Sequence, residues 1–148
     1  MAGVIGLSGW LVGCSSSAES ADTPEGALAA LAQATNDQDD DAIKKLVCAE
    51  EWREQYTFRS TLAEMARLDP RLADVKYPVR AVEVRDKTDT TATGVLDQLP
   101  VEGMPGPDDL SDEASAALDT MAAPMPIRLV RAGGVIKLVK ENGAWTAC

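Results

Sequence analysis

The chain has 148 residues, a length typical of a single domain that can bury a core without help from a metal. Its net charge is -10 and it contains no histidine, so nucleic acids and anionic lipid headgroups are repelled, and histidine-based acid–base chemistry and histidine metal sites are excluded. Aromatic residues make up only 4% of the chain, so the core must be built mainly from aliphatic side chains and methionine.

An apolar run without charges occupies residues 2–13. It is too short to span a bilayer as a helix, which takes about 20 residues, but it fits the apolar region of a secretory signal. The run ends in Leu11-Val12-Gly13-Cys14, an aliphatic residue and two smaller ones before a cysteine, and the polar residues 15–22 follow. This segment resembles the lipobox of bacterial lipoprotein precursors.

The resemblance implies a signal peptide at 1–13, a lipid-bearing Cys14 that opens a polar tether at 14–22, and one domain at 23–148. Acyl chains on Cys14 would anchor the protein to the extracytoplasmic face of the cell membrane, where two or more chains hold stably and one does not. Signals of this kind normally open with Lys or Arg, so we expect the true start to lie upstream of Met1. The alternative interpretation of residues 1–13 is a buried helix or strand followed by an ordinary thiol.

Two cysteines remain once Cys14 is assigned, and an even number outside the cytoplasm favours a disulfide between Cys48 and Cys148. The bridge would close a loop of about 100 residues, for which chain entropy gives about 4.7 kcal/mol as an upper guide. The alternative is two unpaired small residues in the core, because sequence alone does not place the two Cα atoms within bridging range.

The first half of the chain predicts helices. Thr23-Pro24-Glu25 is typical of a helix start, with Thr23 as the cap and Pro24 in the first turn. After an acidic run at 37–41, a second short helix resumes the apolar pattern. A third helical stretch is predicted to start near Trp52 and to stop before Pro70. The apolar positions of the three stretches are Ala27, Leu28, Leu31 and Ala32, then Ile43, Leu46 and Val47, then Trp52, Tyr56, Phe58, Leu62 and Met65.

From residue 79 onward the pattern becomes extended. Strands are predicted at 79–85 and 90–96, joined by a polar turn, followed by an irregular loop at 97–110 and a short helix that Ser111 caps. Two further strands at 127–131 and 135–140 flank Gly133-Gly134, and a last one at 144–147 follows the hairpin turn Asn142-Gly143. Helices followed by antiparallel strands predict the α+β class.

Four segments carry a second resemblance: Ala27-Leu28 with Leu31, and residues 42–48, 91–95 and 138–148. They resemble small extracytoplasmic proteins of the nuclear transport factor 2-like superfamily, and within it uncharacterised lipoproteins of the actinobacterial envelope. The resemblance implies a cone, in which amino-terminal helices lie across a strongly curved antiparallel sheet around a cavity. It also implies the Cys48–Cys148 bridge, and it identifies residues 100–123 as a loop-helix insertion that could cover the cavity.

Catalytic relatives in that superfamily use acidic residues, Tyr or His inside the cone, and the sequence offers few such groups. Glu83 and Asp97 are the strand acids nearest to that role, and Glu83 is expected to be solvated. Two acidic clusters, Asp39-Asp40-Asp41 and Asp108-Asp109 with Asp112-Glu113, precede helices. There a favourable interaction with the helix dipole is a simpler interpretation than a calcium or catalytic site. No catalytic residue, cofactor or metal site is therefore predicted. Six residues are candidates to line an apolar cavity, with Met104 and Met125 as further ones, although packing in the core is the simpler interpretation. The six are Trp52, Tyr56, Phe58, Met65, Met121 and Trp145.

Three functional hypotheses follow. The leading one is a non-enzymatic binding or accessory module, tethered by lipid and engaging an envelope protein or an apolar molecule. The second is a carrier that holds a lipid or a small apolar ligand in the cone. The third is an isomerase or cyclase that uses a carboxylate base.

Overall fold

The structure is a computed structural model that describes residues 21–121, 124 and 134–148. Within these ranges the chain is α+β, with four α-helices and a strongly curled antiparallel sheet of four strands. The predicted strand at 127–131 lies outside the described residues. The helices are α1 (Pro24–Asn36), α2 (Asp40–Leu46), α3 (Phe58–Leu68) and α4 (Asp112–Thr120), and the strands are β1 (Val79–Arg85), β2 (Thr91–Gln98), β3 (Val135–Glu141) and β4 (Ala144–Ala147).

Local capping signals predicted the helix starts well. The Thr23 hydroxyl accepts a hydrogen bond from the Gly26 N–H (3.0 Å), and the Ser111 hydroxyl accepts one from the Ala114 N–H (3.1 Å). Each cap satisfies one of the amide groups that the first turn of a helix leaves without a partner. The predicted starts of α1 and α4 are therefore confirmed.

The predicted start of the third helix near Trp52 is wrong, because α3 begins at Phe58. The Thr57 hydroxyl caps α3 by accepting a hydrogen bond from the Ser60 N–H (3.2 Å). Between Trp52 and this cap the chain forms a short 3₁₀ turn, Glu54–Tyr56, in place of the predicted α-helix. Apolar spacing suggested one long helix, and a non-helical Thr57 divides it.

The four strands form an antiparallel meander in the order β1-β2-β3-β4. Residues of β2 alternate between the buried and the outer face, and Gly94 lies on the buried face. A Cβ atom added at Gly94 would lie 2.8 Å from Leu28 Cδ1 and 3.2 Å from Leu138 Cδ1. The glycine therefore allows α1 to pack directly on the centre of the sheet.

A β-bulge interrupts β1. Ala81 pairs with Leu96 and Glu83 pairs with Val95, so Val82 is the extra residue between them. The bulge turns the Val82 side chain to solvent, where 51% of it is exposed, and Glu83 is exposed as predicted.

Left-handed backbone angles occur at both ends of β3. Asn142 (φ +53°) and Gly143 (φ +85°) form the predicted two-residue loop between β3 and β4. Gly134 (φ +75°) precedes β3, and its carbonyl accepts a hydrogen bond from the Leu96 N–H (2.7 Å).

The core lies between the helices and the buried face of the sheet. Among the residues that the structure describes, no helix combines the length and the apolar character needed to cross a bilayer. The largest fully buried side chains are Phe58, Leu28, Leu31, Ile43, Met65, Leu72, Ile136, Leu138, Val75, Val79 and Thr35.

Candidate functional site

Cys48 and Cys148 lie at disulfide distance, with their Cα atoms 5.1 Å apart across 100 residues of sequence. Backbone pairing brings them together: Val47 forms a parallel bridge with Ala147, and the Cys48 N–H donates to the Ala147 carbonyl (2.8 Å). On the other side, the Cys148 N–H donates to the Lys137 carbonyl (2.7 Å). The segment after α2 therefore covers the outer edge of β4, which would otherwise expose unpaired backbone groups.

Cys14 and most of the polar tether lie outside the described residues. The acylation of Cys14 stays a prediction.

The six residues predicted to line a cavity separate into two groups. Phe58, Met65 and Trp145 are 1%, 2% and 5% exposed and belong to one hydrophobic core cluster. Trp52 and Met121 are partly buried and pack against that cluster, and Tyr56 is half-buried in the 3₁₀ turn before α3. Of the two further candidates, Met104 is exposed on a loop and Met125 lies outside the described residues.

Trp52 is held by charged neighbours. The Lys44 Nζ lies over the Trp52 ring, 5.4 Å from its centroid. The Glu54 carboxylate accepts a hydrogen bond from the Trp52 indole N–H and lies 3.5 Å from Lys44 Nζ. The indole hydrogen bond, followed by the charge of Lys44, lowers the pKa of Glu54 below its usual value. These contacts hold the indole against α2. Trp52 therefore connects α2 to the segment that follows it.

A buried carboxylate that sequence reasoning missed joins α2 to α3. Asp40 is 5% exposed, and its two oxygens accept hydrogen bonds from the Phe58 N–H and the Arg59 N–H (2.9 Å each). It therefore satisfies two amide groups in the first turn of α3. Its 18-residue separation from Phe58 is a tertiary relationship, so no local sequence signal could have revealed it.

Next to Asp40 lies a surface groove of about 490 Å³. Its lining residues come from the turn between α1 and α2, from the start of α2 and from the first turns of α3. Gln38 in this turn has a left-handed backbone (φ +56°), and its side-chain amide donates to the Val75 carbonyl (3.0 Å). The lining residues are Asp37, Gln38, Asp39, Asp40, Phe58, Arg59 and Leu62.

The two candidate strand acids are exposed and paired. Asp97 lies 2.7 Å from Arg80 and Glu83 lies 3.3 Å from Arg85, and each pair is more than half exposed. Exposed pairs of this kind contribute little to stability. In the described ranges, no group of three or more cysteine and carboxylate side chains is arranged to hold a metal ion.

Two buried polar groups stand apart from these pairs. The Tyr77 hydroxyl donates to the sulfur of Met65 (3.7 Å), and burial raises the pKa of Tyr77. The Glu51 Oε2 atom is buried and accepts no hydrogen bond from the described residues.

Comparison with known proteins gives no relative: no family model, no curated protein and no solved structure matches this chain.

Proposed function

We propose that the chain is an extracytoplasmic lipoprotein, anchored by acyl chains on Cys14, whose cone-like domain of the nuclear transport factor 2-like type serves as a non-enzymatic binding module. The observation that carries the proposal is the approach of Cys48 to Cys148. Two of the three cysteines lie at disulfide distance, which leaves Cys14 without a cysteine partner. Cys14 directly follows the apolar run, in the position of a lipobox cysteine. A stable disulfide belongs to an oxidising compartment, which agrees with an exported protein.

The packing supports binding at the surface over transport of a cargo inside the domain. Phe58 and Met65, which the sequence suggested as cavity residues, are only 1% and 2% exposed. They belong to the same cluster as Leu28, Ile136 and Leu138, which fill the space between α1 and the sheet. Closely packed interiors of this kind leave little room for a ligand. The groove beside Asp40 offers a recess for side chains of a partner at the surface.

Fractionation of bacterial cells tests the anchor. We expect the wild-type protein in the membrane fraction and in the detergent phase after phase separation, because two or more acyl chains hold a protein stably at a bilayer. The Cys14→Ser variant removes the acylated sulfur and should leave the detergent phase. Equal partitioning of the two proteins would contradict the anchor.

Site-specific photo-crosslinking in intact cells tests the binding function. A crosslinker at Arg59, which lines the groove and is exposed, should trap one recurrent envelope protein. The matched control is a crosslinker at Arg85, which is exposed on β1. Random capture at Arg59, or the same products at both positions, would reject the groove as the contact surface.

A further inference from the structure

The chain contains two asparagines, Asn36 and Asn142, and their side chains differ in their hydrogen bonds. Asn36 ends α1, and its side chain is held at both atoms by the backbone of Val79. The Val79 N–H donates to Asn36 Oδ1 (2.7 Å), and Asn36 Nδ2 donates to the Val79 carbonyl (3.0 Å). This amide cannot turn towards its own chain without breaking two hydrogen bonds.

Asn142 lies exposed in the two-residue loop between β3 and β4, directly before Gly143. A Cβ atom added at Gly143 would meet nothing within 4 Å, so the space around the Gly143 backbone is open. Within the described part of the chain, the Asn142 side chain makes no hydrogen bond. No side-chain hydrogen bond within the described residues holds Asn142 Cγ away from the Gly143 nitrogen.

We propose that Asn142 is a site of spontaneous deamidation and that Asn36 is protected. The Gly143 nitrogen, losing its proton to solvent base, bonds to Cγ of Asn142. The Cγ–Nδ2 bond breaks, and ammonia leaves with a proton from water. The resulting cyclic imide then adds water across one of its two C–N bonds, which gives aspartate or isoaspartate at position 142.

The two products affect the hairpin differently. Aspartate tolerates the left-handed backbone of this position, so it adds one negative charge beside Glu141 and leaves the turn intact. Isoaspartate adds a backbone atom to a loop of two residues, and such loops set the register of the strands that they join. Isoaspartate at position 142 would first disturb the pairing of Glu141 with Ala144, which lies next to the loop.

The test compares each asparagine with itself. The folded full-length chain and the reduced, denatured chain are kept in the same mildly alkaline buffer, and peptide mapping measures aspartate and isoaspartate at both positions over time. We expect folding to slow the reaction at Asn36 by at least about tenfold, a ratio worth about 1.4 kcal/mol and within the strength of its hydrogen bonds. At Asn142 we expect folding to slow the reaction by less than about threefold, because no side-chain hydrogen bond of Asn142 has to break. Slowing at Asn142 as large as that at Asn36 would overturn the proposal.

A variant gives an independent check in the native fold. Aged wild-type protein should develop an acidic isoform on isoelectric focusing, and the Asn142→Asp variant should not develop one at that rate. If the variant forms a new acidic isoform as fast as the wild type does, the charge change arises elsewhere and the assignment of Asn142 fails.

Discussion

Two glycines with similar backbone angles meet different surroundings. Gly134 (φ +75°) and Gly143 (φ +85°) both have a left-handed backbone. A Cβ atom at Gly134 would lie 1.8 Å from the Leu96 carbonyl oxygen, whereas one at Gly143 would meet nothing within 4 Å. The angle is therefore a conformational requirement at both positions, and the lack of space is an additional one at Gly134.

Alanine substitution separates these two requirements. Gly143→Ala should lower the free energy of unfolding by about 1–2 kcal/mol, the cost of a left-handed residue. Gly134→Ala should lower it by at least about 3 kcal/mol, because the backbone of β2 must also move. Urea denaturation of both variants measures the difference, and equal losses would contradict the contact between Gly134 and β2.

Asp69 should make the stability of the folded protein depend on pH in the acid range. The Arg71 side chain donates to both Asp69 oxygens (3.0 and 2.7 Å) and the Arg71 N–H donates to one of them (2.9 Å). These hydrogen bonds lower the pKa of Asp69 from 3.8 to about 2. Because the folded pKa lies below the unfolded one, this carboxylate contributes its full stabilisation above pH 3.8 and loses it as the pH falls through about 2.

The Asp69→Asn variant should therefore show a shallower fall of the free energy of unfolding with decreasing pH between 3.8 and about 2. Denaturation curves at several pH values measure that slope. Asp119→Asn is the control, since Asp119 is an exposed acid with no ion pair in the described ranges. An unchanged slope for Asp69→Asn would contradict the conclusion that the hydrogen bonds from Arg71 lower the pKa of Asp69.

At the scale of elements, Asp40 connects α2 to α3. Asp40→Ala leaves one buried and one partly buried amide group without an acceptor and should lower the free energy of unfolding by about 2–3 kcal/mol. Asp41→Ala is the matched control, because Asp41 shares the first turn of α2 but is exposed, and its loss should stay below about 1 kcal/mol. Similar losses for both variants would show that the connection to α3 contributes nothing.

The elements that the sequence predicted are those whose signals are local. Thr23 and Ser111 cap helices within three residues of themselves, and Asn142-Gly143 forms its turn alone, so these features could be read from neighbouring residues. The start of α3 depends on Thr57 and on Asp40, which is distant in sequence, and apolar spacing could not reveal it. The bulge at Val82 depends on the register of β1 against β2, which a single strand does not encode.

The candidate site follows the same division. The Cys48–Cys148 pair was predicted from the number of cysteines, and the structure places the two residues at disulfide distance. The groove beside Asp40 was not predicted, because it arises only where the turn after α1 meets α3. The burial of Phe58, Met65 and Trp145 depends on the packing of helices on the sheet, and apolar spacing does not distinguish a packed core from a lined cavity.

At the scale of the whole molecule, the cysteine pair should join the end of α2 to the last strand across 100 residues. Reduction of the wild-type protein, or the double variant Cys48→Ser with Cys148→Ser, should lower the free energy of unfolding by up to about 4.7 kcal/mol. Cys14→Ser should leave the stability of the domain unchanged, because the proposal places Cys14 in the tether and not in the domain at 23–148. If reductant leaves the denaturation curve of the wild-type protein in place, the proposed cross-link is absent.

Intact mass spectrometry of the native protein extracted from bacterial membranes tests the central claim most directly. The proposal predicts a chain that begins at Cys14, carries the mass of its acyl chains, and lacks the two thiol hydrogens of Cys48 and Cys148. A chain that begins upstream of Cys14, carries no lipid and retains free thiols would contradict it.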